Sequence, residues 1–312
     1  MTVSPPPQIP TARLGSTGLI VSRIGLGLAA LGRPAYINLG RQRDFGSDRS
    51  VAELEQRCHQ MLDAARAMGI RYIDAARSYG MAEHFLGTWL NTRNPPEDAM
   101  TVGSKWGYSY VGSWQLEAPV HEVKDLSIDT LRRQIVESRS LLGDRLQLYN
   151  IHSATIESKV LENADVLREL LDLRSSGLVV GLTVTGPNQA DMIRRALQVR
   201  VDGVNPFQVV QATWNLYEPS AGTALAEAHA SGWGVIIKEA LANGRLADRD
   251  AIAFAAALSQ PWVDVVLSGA VTREQLESNV RSLAFARESA DWPDIAESPV
   301  EYWAHRSALA WQ

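Results

Sequence analysis

Short apolar runs alternate with longer amphipathic ones along almost the whole chain. Eight of the short runs read as strands: "RIGLGLAAL", "RYIDA", "MTVGSK", "LQLYNIH", "LVVGLTV", "FQVVQAT", "GVIIKEA" and "VDVVLSG". Several are apolar without alternation, the pattern of strands covered on both faces. The longer runs space their apolar residues as helices do. "VAELEQRCHQMLDAARAMG" sets Leu54, Met61, Leu62, Ala65 and Met68 on one side and stops at Gly69, a residue type that accepts the left-handed backbone ending many helices. "SIDTLRRQIVESRSLLG" and "NADVLRELLDLRSSG" stop in the same way at Gly143 and Gly177. "PNQADMIRRALQVR", "SAGTALAEAHASG" and "TREQLESNVRSLAFA" complete the set, with weaker helical patterns after Met81 and over "AIAFAAALSQ".

Alternating strand and helix predicts a parallel α/β fold. About eight such units in roughly 250–300 residues match a (β/α)8 TIM barrel. Ahead of the first barrel strand, "RLGSTGLIVS" holds a turn-like "GSTG" between two apolar patches. It predicts an N-terminal β-hairpin that caps the barrel's bottom. No Pro/Gly/Ser linker divides the chain, so residues 1–312 are expected to form a single domain. Residues 1–11, rich in proline, are expected to be an extended, poorly ordered arm, and 287–312 a C-terminal extension. A doubly wound dinucleotide fold would rest on "GLGLAALG", but its third glycine, Gly32, comes too late for G-x-G-x-x-G. That segment also opens into "RPAYINLGRQRDFGSDRS" rather than a helix.

Composition narrows the partners. The chain has 312 residues, 46% hydrophobic, with a net charge of -5, enough for a core that needs no staples. No basic run appears, which argues against nucleic acid or a membrane surface as partner. No apolar run reaches the roughly 20 residues of a membrane span, and "MTVSPPPQIPTAR" lacks the charged start and apolar core of a signal peptide. The one cysteine, Cys58, lies in an amphipathic segment and reads as a small buried hydrophobe in a reducing compartment. A cytoplasmic location is the expectation.

In a barrel of this kind chemistry gathers at the C-terminal ends of the strands. Three strand ends carry an ionisable residue: Asp74, Lys105 and His152, with Tyr79 in the loop behind Asp74. Each alone has a structural reading: a turn-forming Asp, a packed Tyr, a solvated Lys, a hydrogen-bonded His. Together at one mouth they form a chemical set. A phenol is a poor acid at neutral pH, and a nearby ammonium favours its ionised form. A buried ammonium in turn needs a counter-ion, which Asp74 can supply. Tyr79 can then exchange a proton with a developing alkoxide while His152 orients the carbonyl oxygen. No nucleophilic cysteine, G-x-S-x-G or metal-spaced histidine cluster is visible. The set suits polarising a carbonyl while another group delivers hydride.

With these residues in place, the sequence resembles the aldo-keto reductases from "RLGSTGLIVSRIGLG" to "GAVTREQLESNV". "YIDAARSYGMAEHFLG" is similar to the family's strongest signature, and "VGSK" and "LYNIHS" to two more. The resemblance implies a catalytic tetrad of Asp74, Tyr79, Lys105 and His152, with Tyr79 as general acid/base, acting on a small carbonyl or alcohol. It implies NADP as cofactor, with NAD as the second choice. Gln211 would hold the nicotinamide carboxamide. Thr183 keeps a hydroxyl where the family commonly has Ser-Asn, but Val184 follows it. Lys238 stands where a tyrosine often stacks on the nicotinamide, which leaves Trp214 as a nearby stacking candidate. Asn243, Gly244 and Arg245 match the loop over the pyrophosphate, although Arg245 also reads as a solvated loop residue. Thr272 and Gln275 form a T-x-x-Q capping box that opens a helix. Gly269, Gln275 and Asn279 lie toward the adenosine, where only Arg273 offers a cation, and it can equally face solvent.

The substrate side is written in loops. "RPAYINLGRQRDFGS" carries Tyr36, Asn38, Arg41 and Arg43, "WGYSYVGSWQLEAPVHEVKD" is rich in aromatics with His121 and Glu122, and "SPVEYWAHRSALAWQ" adds Tyr302, Trp303 and Trp311. These can line a pocket or cover the barrel rim. Two other classes stay open: a nicotinamide-sensing regulatory subunit with weak catalysis, and a barrel hydrolase or lyase driven by paired acids, for which only Asp74 and Glu239 qualify.

Overall fold

The computed structural model describes residues 9–287 and 292–312. A hairpin of β1 (Thr11–Arg13) and β2 (Ile20–Ser22) precedes β3 (Ile24–Gly27). Then follow α1 (Arg41–Phe45), α2 (Val51–Ala67), β4 (Tyr72–Asp74), α3 (Ala82–Arg93) and β5 (Thr101–Trp106). A second hairpin, β6 (Tyr108–Tyr110) and β7 (Glu122–Lys124), interrupts the alternation before α4 (Ile128–Leu142) and β8 (Leu146–Ala154). The remaining units are α5 (Ala164–Ser175), β9 (Val179–Val184), α6 (Gln189–Gln198), β10 (Val209–Thr213), α7 (Gly222–Ala230), β11 (Gly234–Lys238), α8 (Asp250–Leu258), β12 (Val265–Ser268) and α9 (Arg273–Arg281). Helix α10 (Pro299–Ser307) comes last. Strands β3, β4, β5 and β8 to β12 close a parallel barrel in chain order, β12 pairing with β3. The fold is a (β/α)8 TIM barrel, and its eight strands are the eight runs read from the sequence.

Local rules explain the element ends. Gly69 (φ 84°) and Gly177 (φ 99°) follow α2 and α5 in the left-handed region where only glycine sits without strain. The T-x-x-Q box closes on Val271: Gln275 N donates to Thr272 Oγ1 at 3.3 Å, and Val271 N donates to Gln275 Oε1 at 3.0 Å. Cys58 is fully buried on α2, and burial pushes its thiol pKa up.

The first hairpin plugs the barrel's lower end. Leu14 is fully buried among Tyr72, Leu148, Val209, Ile236 and Val265, and Ser16 N donates to Gly232 O at 2.8 Å. The arm expected over residues 1–11 needs correction at its end. Ile9 is buried in the main core and Thr11 already pairs with Ser22, because an isoleucine gains more from burial than from water. Residues 1–8 lie outside the described residues, as do 288–291 of the expected C-terminal extension. The loops on the substrate side also hold more order than expected: α1 lies in the first, and β6–β7 in the second.

After β12 the chain returns across the barrel mouth. Ser298 caps α10, accepting from Glu301 N at 3.3 Å. Arg306 grips the Glu239 carboxylate at the end of β11, with Nε 3.0 Å from each oxygen. Asn215 Nδ2 donates both to Tyr302 Oη and to Glu239 O at 3.0 Å. Finally, Tyr36 and Gln312 exchange backbone hydrogen bonds of 2.9 and 3.0 Å.

Burial alone would raise the Glu239 carboxyl, but Arg306 and Lys238 bring its pKa down to about 2. A carboxyl whose folded pKa lies below its unfolded value of about 4.3 contributes stability above that pH and loses it as pH falls toward 2. The docking of α10 is therefore expected to loosen across that window, seen as faster amide exchange in residues 299–307. Glu239→Gln should remove that acid dependence. Arg306→Met, which strands a buried carboxylate, should cost about 3 kcal/mol in urea unfolding.

Candidate active site

Inward-facing positions of adjacent strands build the site in layers. At the lower level the Tyr72 ring fills space left by Gly25 and Gly103; a Cβ at Gly103 would lie 2.5 Å from Tyr72 Oη. Above it Asp74, 2% exposed, ends β4 in register with Gly103 of β5. Asp74 accepts three hydrogen bonds: from Lys105 Nζ at 2.5 Å, Gln211 Nε2 at 3.0 Å and Tyr72 Oη at 3.1 Å. Lys105 is 1% exposed and also donates to Ala75 O at 2.8 Å. Burial lowers its pKa, and Asp74 opposes that shift.

Tyr79 reaches the same point from the turn after β4. Met81 N donates to Gly32 O at 2.7 Å. A Cβ at Gly32 would meet Tyr79 O at 2.2 Å, and Gly80 has φ 59°. Two glycines thus let the turn lie flat against the β3 loop and aim the phenol at the barrel axis. The Lys105 ammonium lies 4.7 Å from the Tyr79 ring centroid, and His152 meets that ring edge-on at 5.5 Å. His152, half-buried on β8, has Nδ1 3.4 Å from Ser78 Oγ and its ring 5.0 Å from that of Tyr108. The four residues expected to act together do converge.

Their charges are arranged differently from the sequence reading. Burial raises the Tyr79 pKa well above the ordinary phenol value, Asp74 raises it further, and the opposing cation is Arg33 rather than Lys105. The physical reason is that Asp74, at 2.5 Å, matches the charge of Lys105. Arg33 is missing from the sequence reading altogether. It is 1% exposed. Its guanidinium lies 4.8 Å from the ring of Tyr36, 5.1 Å from that of Tyr79 and 4.8 Å from that of Trp311. It also donates to Glu122 Oε1 at 2.6 Å. Its only sequence signal is a lone cation in the otherwise apolar "LAALGRPAY". Burial, then Lys105, Arg33, Lys238 and Lys124, hold the His152 pKa well below the usual imidazole value. The neutral ring can donate or accept a hydrogen bond.

An elongated cavity of about 280 Å³ runs outward from Asp74 and Tyr79 toward the start of α9. Seven of the ten residues expected at a cofactor line it: Gln211, Lys238, Asn243, Gly244, Gly269, Gln275 and Asn279. Asn243 ties the loop after β11 to the loop after β3, donating from Nδ2 to Ile37 O at 3.0 Å and accepting from Leu39 N at 2.9 Å. Its buried amide oxygen has no partner, and a Cβ on Gly269 would meet nothing within 4 Å. An extended polar ligand fits such a channel. Gln275 also donates to Asp44 Oδ2 at 3.0 Å, and Asp44 is a lining residue that the sequence reading lacked.

Three expected contacts lie elsewhere. Thr183 Oγ1 accepts from Ser153 N at 2.7 Å, bracing β8. Arg245 is paired with Glu297 and stacks 4.1 Å above the Tyr217 ring. Arg273 sits at the surface on Glu277, 2.7 Å away. Trp214, expected as a stacking candidate, packs instead against Trp262 outside the cavity, because it follows β10 on the side covered by α7. The Trp303 ring centroid lies 5.8 Å from Lys238 Nζ. Among the described residues no group of three or more His, Cys, Asp and Glu could hold a metal ion. No helix among them is long and apolar enough to cross a membrane.

The sequence model of the aldo/keto reductase family matches residues 23–256. The chain belongs to that family. D-threo-aldose 1-dehydrogenase of a Pseudomonas species is 27% identical over 76% of this chain and 73% of its own length. The NADH-specific methylglyoxal reductase of Escherichia coli is 26% identical over 66% of this chain, but the match spans only 59% of that enzyme. An aldo-keto reductase from Pseudomonas aeruginosa superposes with a TM-score of 0.68 and 28% identity, covering 88% of this chain and 95% of that one. As an aldo/keto reductase, the chain is an oxidoreductase by class.

The ion pair sets the stability of the site. Asp74→Ala leaves an ammonium buried without its counter-ion and should cost about 3 kcal/mol in urea unfolding. Adding Lys105→Met should recover part of that loss. His152 should stay neutral as pH falls through about 6.5, so its ring proton shifts in NMR should not titrate between pH 8 and about 5.5.

Proposed function

We propose that the chain reversibly reduces an aldehyde or ketone to an alcohol, using a nicotinamide cofactor, with Tyr79 as general acid/base. What carries this reading is the convergence of four residues: Asp74 and Tyr79 line one cavity, Lys105 pairs with Asp74, and His152 packs edge-on against Tyr79. The family assignment supports the same reaction class. Gln211 and Asn243 would orient the nicotinamide and the phosphates, and Gln275 and Asn279 the adenosine end.

The bound cofactor supplies hydride, and the rest of the chemistry falls to side chains. Tyr79 holds its proton firmly in this environment, so it donates a hydrogen bond to a carbonyl oxygen and polarises the carbon. As negative charge develops on that oxygen, Arg33 lowers the cost of an anionic centre beside it. The proton then passes from Tyr79 to the alkoxide. Asp74 keeps Lys105 charged and in place. His152, neutral and beside Tyr79, fixes the carbonyl's direction through a hydrogen bond. In alcohol oxidation Tyr79 takes the proton back.

Family habit points to NADPH, but the far end of the cavity points to NADH. Asp44 is fixed there by Gln275, and its carboxylate opposes a 2'-phosphate. Arg43 also lines the cavity, but it is exposed to solvent, and an exposed cation contributes little. A relative named as NADH-specific supports the choice.

Oxidation of the reduced cofactor, followed by absorbance with a panel of aldehydes, tests the reading. The wild type should turn over, and Tyr79→Phe should lose about a thousandfold in kcat. Full activity in Tyr79→Phe would remove Tyr79 as proton donor. Cofactor binding without turnover on any aldehyde would point to a nicotinamide sensor. In matched titrations Asp44→Asn should narrow the preference for NADH over NADPH by about fivefold.

A further inference from the structure

The cavity wall near Tyr79 carries a cation that the proposed reaction does not use. Lys238 ends β11 in register with Thr213 of β10. Its Nζ donates to Thr213 Oγ1 at 2.8 Å, and that hydroxyl donates to Glu239 Oε2 at 2.9 Å. The Glu239 carboxylate is already gripped by Arg306, and Asp74 is taken by Lys105. The charges that act on Lys238 are those of Glu239, Arg306, Lys105 and Asp74. Each of the two carboxylates is held by another cation, and among the described residues Lys238 makes no direct ion pair, reaching Glu239 only through Thr213. That charge acts at the reacting end of the site, since Lys238 is among the cations that depress His152.

The following step rests on the cofactor reading above. Hydride must reach the carbon of a carbonyl whose oxygen is bonded to Tyr79. The nicotinamide ring therefore lies at the inner end of the cavity, along the wall that Lys238 shares with Tyr79, Asp74 and Gln211. That ring is neutral when reduced and carries a full positive charge when oxidised. A fixed ammonium repels one form and leaves the other alone.

We infer that Lys238 makes the site discriminate between the redox states of its nicotinamide, holding the reduced form more tightly than the oxidised form. Like charges several ångströms apart in a partly screened site repel enough for about a tenfold difference in affinity. In a two-electron couple that ratio is a shift of about 30 mV toward the reduced form. Lys238 takes no atom or electron in the reaction. One hydride still passes between the alcohol carbon and the ring, and one proton between the alcohol oxygen and Tyr79. The bias changes only which side of that exchange the enzyme favours: carbonyl product with reduced cofactor.

Equilibrium titration of the full chain with NAD+ and with NADH tests this. Wild type should bind NADH the more tightly. Lys238→Met should shrink the ratio of the two dissociation constants about tenfold, while Lys238→Arg should retain it. A second measurement needs no variant. Burial lowers the Lys238 pKa to about 8, so the wild-type ratio should fall as pH rises from about 6.5 to about 9.5. An unchanged ratio in Lys238→Met, or equal weakening of both forms, would overturn the inference and make Lys238 a general anchor. A wild type that binds neither form, nor NADP+ and NADPH in the same titration, would overturn the cofactor reading, and this inference with it.

Discussion

The site depends on one buried ion pair. Lys105 and Asp74 sit inside a closed barrel, with almost no water contact, where an isolated charge of either sign would be prohibitive. Their separation of 2.5 Å makes each tolerable. Tyr72 and Gln211 use the second carboxylate oxygen, so no polar atom of Asp74 is left idle. That arrangement draws on four strands, β4, β5 and β10 through the pair and Gln211, and β3 through the glycine that makes room for Tyr72. The barrel must close for the pair to exist, and the pair holds the strands' upper ends in register. Stability and chemistry therefore share the same atoms.

Around this neutral core the mouth is unevenly charged. Arg33, Lys238, Lys124 and Arg306 outnumber Glu122 and Glu239, and aromatic rings rather than carboxylates cover much of the cationic surface. Guanidinium groups over ring faces keep their charge while shedding water. The result is a cluster of partly dry cations around Tyr79 and His152, while Asp44 and Asp250 line the cavity as well. Burial and these cations leave His152 neutral, while burial and the Asp74 carboxylate keep the proton on Tyr79 against the pull of Arg33.

The barrel was legible because its signals are local. Each strand is a short apolar run and several helices keep their spacing to a glycine stop, so all eight strands could be placed from the chain, and Asp74, Tyr79, Lys105 and His152 expected at or near their ends do meet. The residues that escaped act through long-range contacts. Arg33 gains its meaning from Glu122 and Trp311, 89 residues and most of the chain away. Asp44 matters only because Gln275 meets it across the cavity. Arg245 and Arg273 carry the right charge for a phosphate, yet Glu297 and Glu277 claim them. No pattern in the sequence announces which of several acids an arginine will choose. Trp214 failed as a stacking candidate for a simpler reason: nearness in sequence after a strand does not say which side of the rim a side chain takes.

The floor of the site has a consequence for how this barrel can change. Tyr72 supports Asp74 through its hydroxyl and fills the space under it with its ring. The ring fits because positions 25 and 103 lack side chains; a Cβ at Gly25 would lie 2.8 Å from Tyr72 Cδ1. These three positions form a locked trio on neighbouring strands. A larger residue at 25 or 103 is admissible only after the tyrosine has shrunk, and a shrunken tyrosine opens a void and strips a hydrogen bond from the carboxylate. A change at any one of the three positions therefore strains or empties the space the other two define. The depth of the site is thus a property of three residues taken together, and none of them can be tuned alone.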